Sequence, residues 1–123
     1  MATKSEAFER LLTKLNEVQG VEGSMIVTRG GEIIAVNIGK GYAADKIAAL
    51  TSNALETVLK VVKELDHGVP RLATIESARG KFAIVNAEKA NVFIIGVGNE
   101  SANVGMFKMA LDEALQSYYD EQG

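Results

Sequence analysis

Residues 39–44, Gly39-Lys40-Gly41-Tyr42-Ala43-Ala44, match the Gly-x-Gly-x-x-Gly/Ala spacing that seats a pyrophosphate on a helix N-terminus. In that chemistry the glycines let the backbone approach the phosphates, and the first amides of the helix bind them. The signal depends on its setting: a βαβ unit, with an acidic residue about 20 positions on at the end of a second strand. Here the preceding strand belongs to a predicted hairpin, and the acidic candidates, Glu64 and Asp66, fall on the same predicted helix. The two glycines are therefore read as the route by which the chain leaves a strand and enters a helix. Gly96-Val97-Gly98 is read similarly, as glycines at a strand end where another backbone comes close. No Gly-x-x-x-x-Gly-Lys-Ser/Thr phosphate loop occurs.

The other reactive residue types are few. His67 is the single histidine, so any Ser-His-Asp triad or histidine-rich metal site would have to use it. It follows a long predicted helix beside Asp66 and Gly68, where a cation near the helix C-terminus has an ordinary structural role. The carboxylate pairs Asp112/Glu113 and Glu64/Asp66 fall on polar helix faces or ends and read as solvated charge. The arginines are Arg10, Arg29, Arg71 and Arg79; any could act in trans on a nucleotide held by a partner, but a surface role is the simpler reading. With no cysteine, thiolate catalysis, zinc ribbons and iron–sulfur clusters are excluded. Neither a catalytic residue, a metal site nor a cofactor site is assigned.

What positions these residues is one domain spanning 1–123. The chain is 47% apolar and 24% charged, with one proline, which fits a globular core and excludes disorder, collagen and coiled coil. Residues 1–100 carry 12 basic and 12 acidic side chains, so the net charge of −3 arises in the last segment, where Lys108 faces Asp112, Glu113, Asp120 and Glu121. A nucleic-acid partner calls for a basic stripe, and the chain has none. The first ten residues hold no apolar run of the secretory kind, and the most apolar stretch, 90–98, is about half of the ~20 residues that a spanning helix needs. The expected location is cytoplasmic, without membrane insertion.

Thr3 and Glu6 have capping-box spacing, and Phe8, Leu11, Leu12, Leu15 and Val18 continue a helical stripe as far as Gly20. Residues 24–28 and 33–38, separated by Gly30-Gly31, predict a β-hairpin. From 43 to about 66 runs a long helix with two apolar stripes. Ile47, Leu50, Ala54, Val58, Val61 and Leu65 form one; Ala48, Leu55, Leu59 and Val62 form the other. Together they cover about half the circumference, wider than the ~100° needed to sit on one sheet, so this helix has two things to bury against. Three short β-like runs follow at 72–78, 82–87 and 92–97. Ser101 or Asn103 then caps a last helix in which Met106, Phe107, Ala110, Leu111, Ala114 and Leu115 point inward, and 118–123 is expected to be a frayed tail. Strands joined by such short turns are antiparallel, which excludes a doubly wound parallel sheet. The fold class is mixed α/β of the α+β kind.

In this order of elements, the stretch Gly20-Val21-Glu22-Gly23-Ser24-Met25-Ile26-Val27-Thr28-Arg29-Gly30-Gly31-Glu32-Ile33-Ile34-Ala35 resembles the opening of a roadblock domain, the family of the roadblock-type dynein light chain and of prokaryotic regulators of small GTPases. Ile75-Glu76 followed by Gly80-Lys81, and Asn103-Val104-Gly105 at the last helix, resemble later landmarks of that family. One position departs: where the family usually has Asp or Asn before the hairpin glycine, this chain has Gly30. A type I′ turn, with positive φ at both central residues, accommodates that change.

The resemblance implies a profilin-like, five-stranded antiparallel sheet with the first and last helices on one face and the long helix on the other. It also implies a homodimer in which the long helices lie side by side and the third strands join the two sheets. Ala48, Leu55, Leu59 and Val62 are assigned to that interface, with Leu72 and Thr74 on the third strand. The polar arc of the long helix, Lys46, Asn53, Glu56, Lys60 and Lys63, is assigned to partner binding. The implied function is a non-enzymatic regulatory or scaffolding platform for a small Ras-like GTPase. The alternatives are an assembly subunit of the dynein-light-chain type and a small ligand-sensing domain using residues 39–44.

Overall fold

The computed structural model describes residues 3–123. Helix α1 (Lys4–Asn16) opens with the predicted capping box: Glu6 N–H donates to Thr3 Oγ1 at 3.1 Å, and the Glu6 carboxylate accepts from Thr3 N–H at 3.2 Å. That reciprocal bonding satisfies amides that a helix start leaves open, and the hydrogen bonds from Thr3 hold the Glu6 carboxyl below its usual range. Strands β1 (Val21–Val27) and β2 (Ile33–Ile38) follow, then α2 (Ala44–Glu64), β3 (Leu72–Ser77), β4 (Gly80–Ala87), β5 (Val92–Asn99) and α3 (Val104–Gln122). A single 3₁₀ turn at Glu88–Ala90 links β4 to β5.

The strands form one sheet in the order β2-β1-β5-β4-β3, each pair antiparallel. β2 and β3 are the two edges, so α2 is the element that crosses the sheet. Side chains alternate between its faces. Ile26, Ala35, Ala83 and Ile94 join α1 and α3 in one core, while Met25, Val27, Ile84, Phe93 and Ile95 join α2 in the other. The profilin-like arrangement implied by the resemblance is the one observed.

Three local expectations need correction. The β1–β2 turn is not type I′: only Gly31 has positive φ, at +91°, with Gly31 N–H bonded to Thr28 O and Thr28 N–H to Glu32 O. A turn that needs positive φ at one residue leaves Gly30 unconstrained, so Asp or Asn at position 30 would fit this backbone. The segment 118–123 is not a frayed tail, because α3 runs on to Gln122. Tyr118 is 4% exposed and stacks on Phe8 with ring centroids 4.6 Å apart, and Arg10 pairs with Glu121 at 2.6 Å. Met106 points outward rather than into the core. Asn103, not Ser101, caps α3, accepting from Met106 N–H at 3.0 Å.

The glycines near the end of β5 have a steric reason. A Cβ at Gly96 would collide with the Phe107 ring of α3, and one at Gly98 would lie 2.7 Å from Ala102 Cβ and 3.0 Å from Gly20 O. Gly39 and Gly41 are different: neither has positive φ, and no atom lies within 4 Å of where a Cβ would stand. The strand-to-helix turn therefore does not require glycine at either place.

Candidate functional site

Of the two apolar stripes on α2, the one assigned to a dimer faces the chain's own sheet. Ala48 is 0% and Leu55 7% exposed, both within the α2-side core, and Leu59 and Val62 are half-buried beside them. Small side chains are what bring the helix so near. Ala48 and Ser52 pass the β1–β2 turn so closely that a Cβ on Gly31 would stand 3.1 Å from Ser52 Cβ, and Ser52 Oγ donates to Arg29 O at 2.8 Å. The bulkier stripe is left outside. Leu50, Val58, Val61 and Leu65 are between 39% and 58% exposed, although apolar side chains of this size are usually covered.

This exposed stripe runs along the flank of α2 that overhangs β3 and β4. Leu50 lines a cleft whose opposite wall includes Ser77, Gly80 and Phe82, and Val58 lines a second cleft closed by Ala73 and Ile84. The third strand adds Ile75, exposed and opposite Phe82 in register. Leu72 and Thr74, the two β3 residues assigned to the interface, pair with Val85 and Ala83, and their register turns them toward the α1/α3 side. Leu50 and Val58 on the helix flank and Ile75 on β3 thus leave exposed apolar side chains on the α2 side of the sheet, beside the free β3 edge. An exposed apolar surface of this kind marks an interaction site.

Lys46, Asn53, Glu56, Lys60 and Lys63 are all exposed. At ~100° per residue Lys46, Asn53 and Lys60 lie on the side of α2 opposite Leu55, whereas Glu56 and Lys63 lie on its flank, nearer the sheet. The remaining reactive candidates do not converge. His67 is exposed beyond the end of α2, and the carboxylates of Glu64, Asp66, Asp112 and Glu113 are exposed as well. Arg29 is engaged structurally, stacked 4.5 Å from the Phe93 ring centroid with Nε donating to Asn91 Oδ1. Among the described residues no group of three or more Asp, Glu or His side chains is placed to hold a metal ion, and no helix is long and apolar enough to cross a membrane.

The profile of the Roadblock/LC7 domain matches residues 7–97, most of the chain and all five strands except the last residues of β5. The chain belongs to the Roadblock/LC7 family. An uncharacterised protein of Methanocaldococcus jannaschii, MJ1340, is 25% identical over 108 residues, covering 88% of this chain and 93% of that one. Among solved structures, MglB in a tetrameric arrangement superposes with a TM-score of 0.83 at 16% identity, covering 96% of this chain and 89% of that chain. Profilin II of Acanthamoeba castellanii superposes at 0.55 with 16% identity over 85% of this chain and 89% of its own. Both structural likenesses concern the fold. In this roadblock domain the exposed α2 flank and the β3 edge had a partial sequence signal, the excess apolar width of α2. The stripe of Ala48, Leu55, Leu59 and Val62, expected at the interface, is the one that faces the chain's own sheet.

Proposed function

We propose that this roadblock domain is a non-enzymatic homodimeric platform for a small Ras-like GTPase. The single observation that carries the dimer is the exposed stripe Leu50, Val58, Val61 and Leu65 beside the free β3 edge. Covering the exposed half of such side chains is worth roughly 1 kcal/mol each. Two copies related by a two-fold axis bring about eight of them together, of the same order as the cost of association. The stripe alone therefore about breaks even, and pairing of the β3 edges supplies the remainder. Self-association is consistent with the tetrameric arrangement named for the structurally similar MglB.

With that flank covered, the arc of Lys46, Asn53, Glu56, Lys60 and Lys63 stays open on both copies. The family resemblance supplies the GTPase as the partner, and the arc supplies polar contacts of both signs. Such a platform regulates by differential affinity for the two nucleotide states: a tenfold preference needs only ~1.4 kcal/mol. The test is capture of small GTPases from native cytoplasm on the immobilised domain, with GDP and a GTP analogue compared. A GTPase retained in one state, and lost with Lys60→Glu plus Lys63→Glu while the dimer persists, supports the reading. Retention unchanged by the double reversal removes the outer arc of α2 as the docking surface.

A further inference from the structure

The outer face of α3 carries a pattern that neither the core nor the exposed flank of α2 uses. Met106, Met109, Glu113, Gln116 and Asp120 are all exposed and recur at i, i+3, i+7, i+10 and i+14, the spacing with which one helix presents a seam to another. The seam is about 21 Å long and lies on the side of α3 opposite Leu111, which is buried in the α1/α3-side core. Its two ends differ in chemistry. The first end offers Met106, 53% exposed, and Met109, at 67% the most exposed large apolar side chain among the described residues. Methionine is unbranched and polarizable, so it adapts to the surface of a partner. The second end offers the carboxylates of Glu113 and Asp120. Neither is in an ion pair among the described residues; Asp120 only accepts from Gln116 Nε2 at 3.0 Å, whereas Glu121 beside it is paired with Arg10 of α1.

Charge narrows what can cover this seam. Residues 101–123 hold the acidic excess of the whole chain, Lys108 against Asp112, Glu113, Asp120 and Glu121. Nucleic acid and an anionic membrane surface are repelled by it. A second copy meeting the same face is disfavoured as well. Aligned parallel, it sets Glu113 on Glu113 and Asp120 on Asp120; aligned antiparallel about Glu113, it sets each Met106 on an Asp120. The complementary surface is an apolar block followed, about 10 Å further along, by positive charge.

We propose that the outer face of α3 docks a basic amphipathic helix of a partner protein, with leucine-type side chains on Met106 and Met109 and Lys or Arg on Glu113 and Asp120. Spanning the seam takes a helix of at least about 15 residues. Cations are favoured in the last turns of their own helix, so the partner runs parallel to α3 with its apolar turns first. This face lies across the sheet from α2 and stays open when the flank of α2 is covered. The inference goes beyond the platform reading and stands without it.

The probe is a synthetic peptide of about 18 residues, with leucines on one face of its first two turns and arginines on the same face of its last two. It is titrated into the intact isotope-labelled chain and followed by amide chemical shifts. A midpoint below about 100 µM at low salt is expected, with shifts concentrated between Met106 and Asp120 and binding weakened by added salt. Met109→Glu, and Glu113→Lys combined with Asp120→Lys, each weaken it about tenfold. Glu32→Lys combined with Glu64→Lys, the same change of net charge placed away from α3, leaves the midpoint within about twofold. A peptide with its leucine and arginine blocks exchanged binds more weakly. The proposal is overturned by absence of binding up to about 1 mM, by shifts centred on Val58 and Val61 of α2, by an unchanged midpoint in either α3 variant, by equal weakening from the two pairs of charge reversals, or by a block-exchanged peptide that binds as tightly. All the substituted positions are exposed, and folding of each variant is checked from its amide spectrum away from the substitution.

Discussion

Leu55→Ala and Val61→Ala remove apolar atoms from the two stripes of one helix, and their consequences should separate cleanly. Leu55 is 7% exposed and packed within the α2-side cluster that includes Met25, Val27 and Phe93. Those neighbours sit on hydrogen-bonded strands that cannot collapse far into a cavity, so the loss belongs in the ordinary range for a buried leucine, about 3 kcal/mol. With a urea slope near 1.5 kcal/mol/M, that lowers the unfolding midpoint by about 2 M. Val61, 54% exposed, costs the isolated chain no more than about 0.5 kcal/mol. Its loss is felt only where the flank is covered, so it grows with protein concentration. Urea unfolding followed by circular dichroism, at about 1 µM and about 100 µM chain, distinguishes the two. Leu55→Ala shifts both curves alike; Val61→Ala shifts mainly the concentrated sample. A larger loss for Val61→Ala than for Leu55→Ala in the dilute sample would refute the assignment of the two stripes.

Other consequences follow from single contacts. Gly96→Val drives a side chain into the Phe107 ring and should cost about 1–3 kcal/mol, part of it recovered when Phe107 is also replaced by Leu; thermal melts of the single and double variants test this. Asn103→Ala removes the acceptor for Met106 N–H and should cost about 1 kcal/mol, read as a lower urea midpoint. Burial raises the phenol of Tyr118, so the neutral ring is the native form. Its contribution is intact below the ordinary tyrosine value near 10 and is lost as pH rises through the higher folded value. Stability measured from about pH 9 to 11 should therefore fall less steeply in Tyr118→Phe than in the parent, and parallel curves would contradict the assignment.

The layering and strand order were legible because their signals are local. A capping box, paired glycines and short β-branched runs each specify an element, and short turns leave antiparallel pairing as the way to connect the strands. The spacing of Phe107, Leu111, Ala114 and Tyr118 carries α3 through the segment expected to fray, because the period does not stop at Leu115. The choice between the stripes of α2 was less legible. Apolar bulk favours Leu50, Val58, Val61 and Leu65 as core, whereas the observed packing selects the face of Ala48 and Ser52, whose small side chains let the helix approach the turn at Gly31, and buries Leu55 on that same face. Close approach of backbone to backbone is a tertiary constraint, and a one-dimensional pattern reports it only as an unexplained run of small residues. The type of the β1–β2 turn escaped for a related reason: adjacent glycines permit several turns, and the register irregularity between Ile26 and Val27 belongs to the paired strands.

Both the dimer and the open polar arc depend on the exposed flank of α2 being covered by a second copy of the chain. Sedimentation equilibrium of the intact protein at about 50 µM tests this most directly, with Val61→Glu run beside it, because a carboxylate placed in a covered apolar interface costs several kcal/mol but is harmless on an open one. The parent should sediment at about twice the 13.1 kDa chain mass, and the variant at the chain mass with its circular dichroism unchanged. A parent at the mass of one chain, or a variant that remains dimeric, would contradict it.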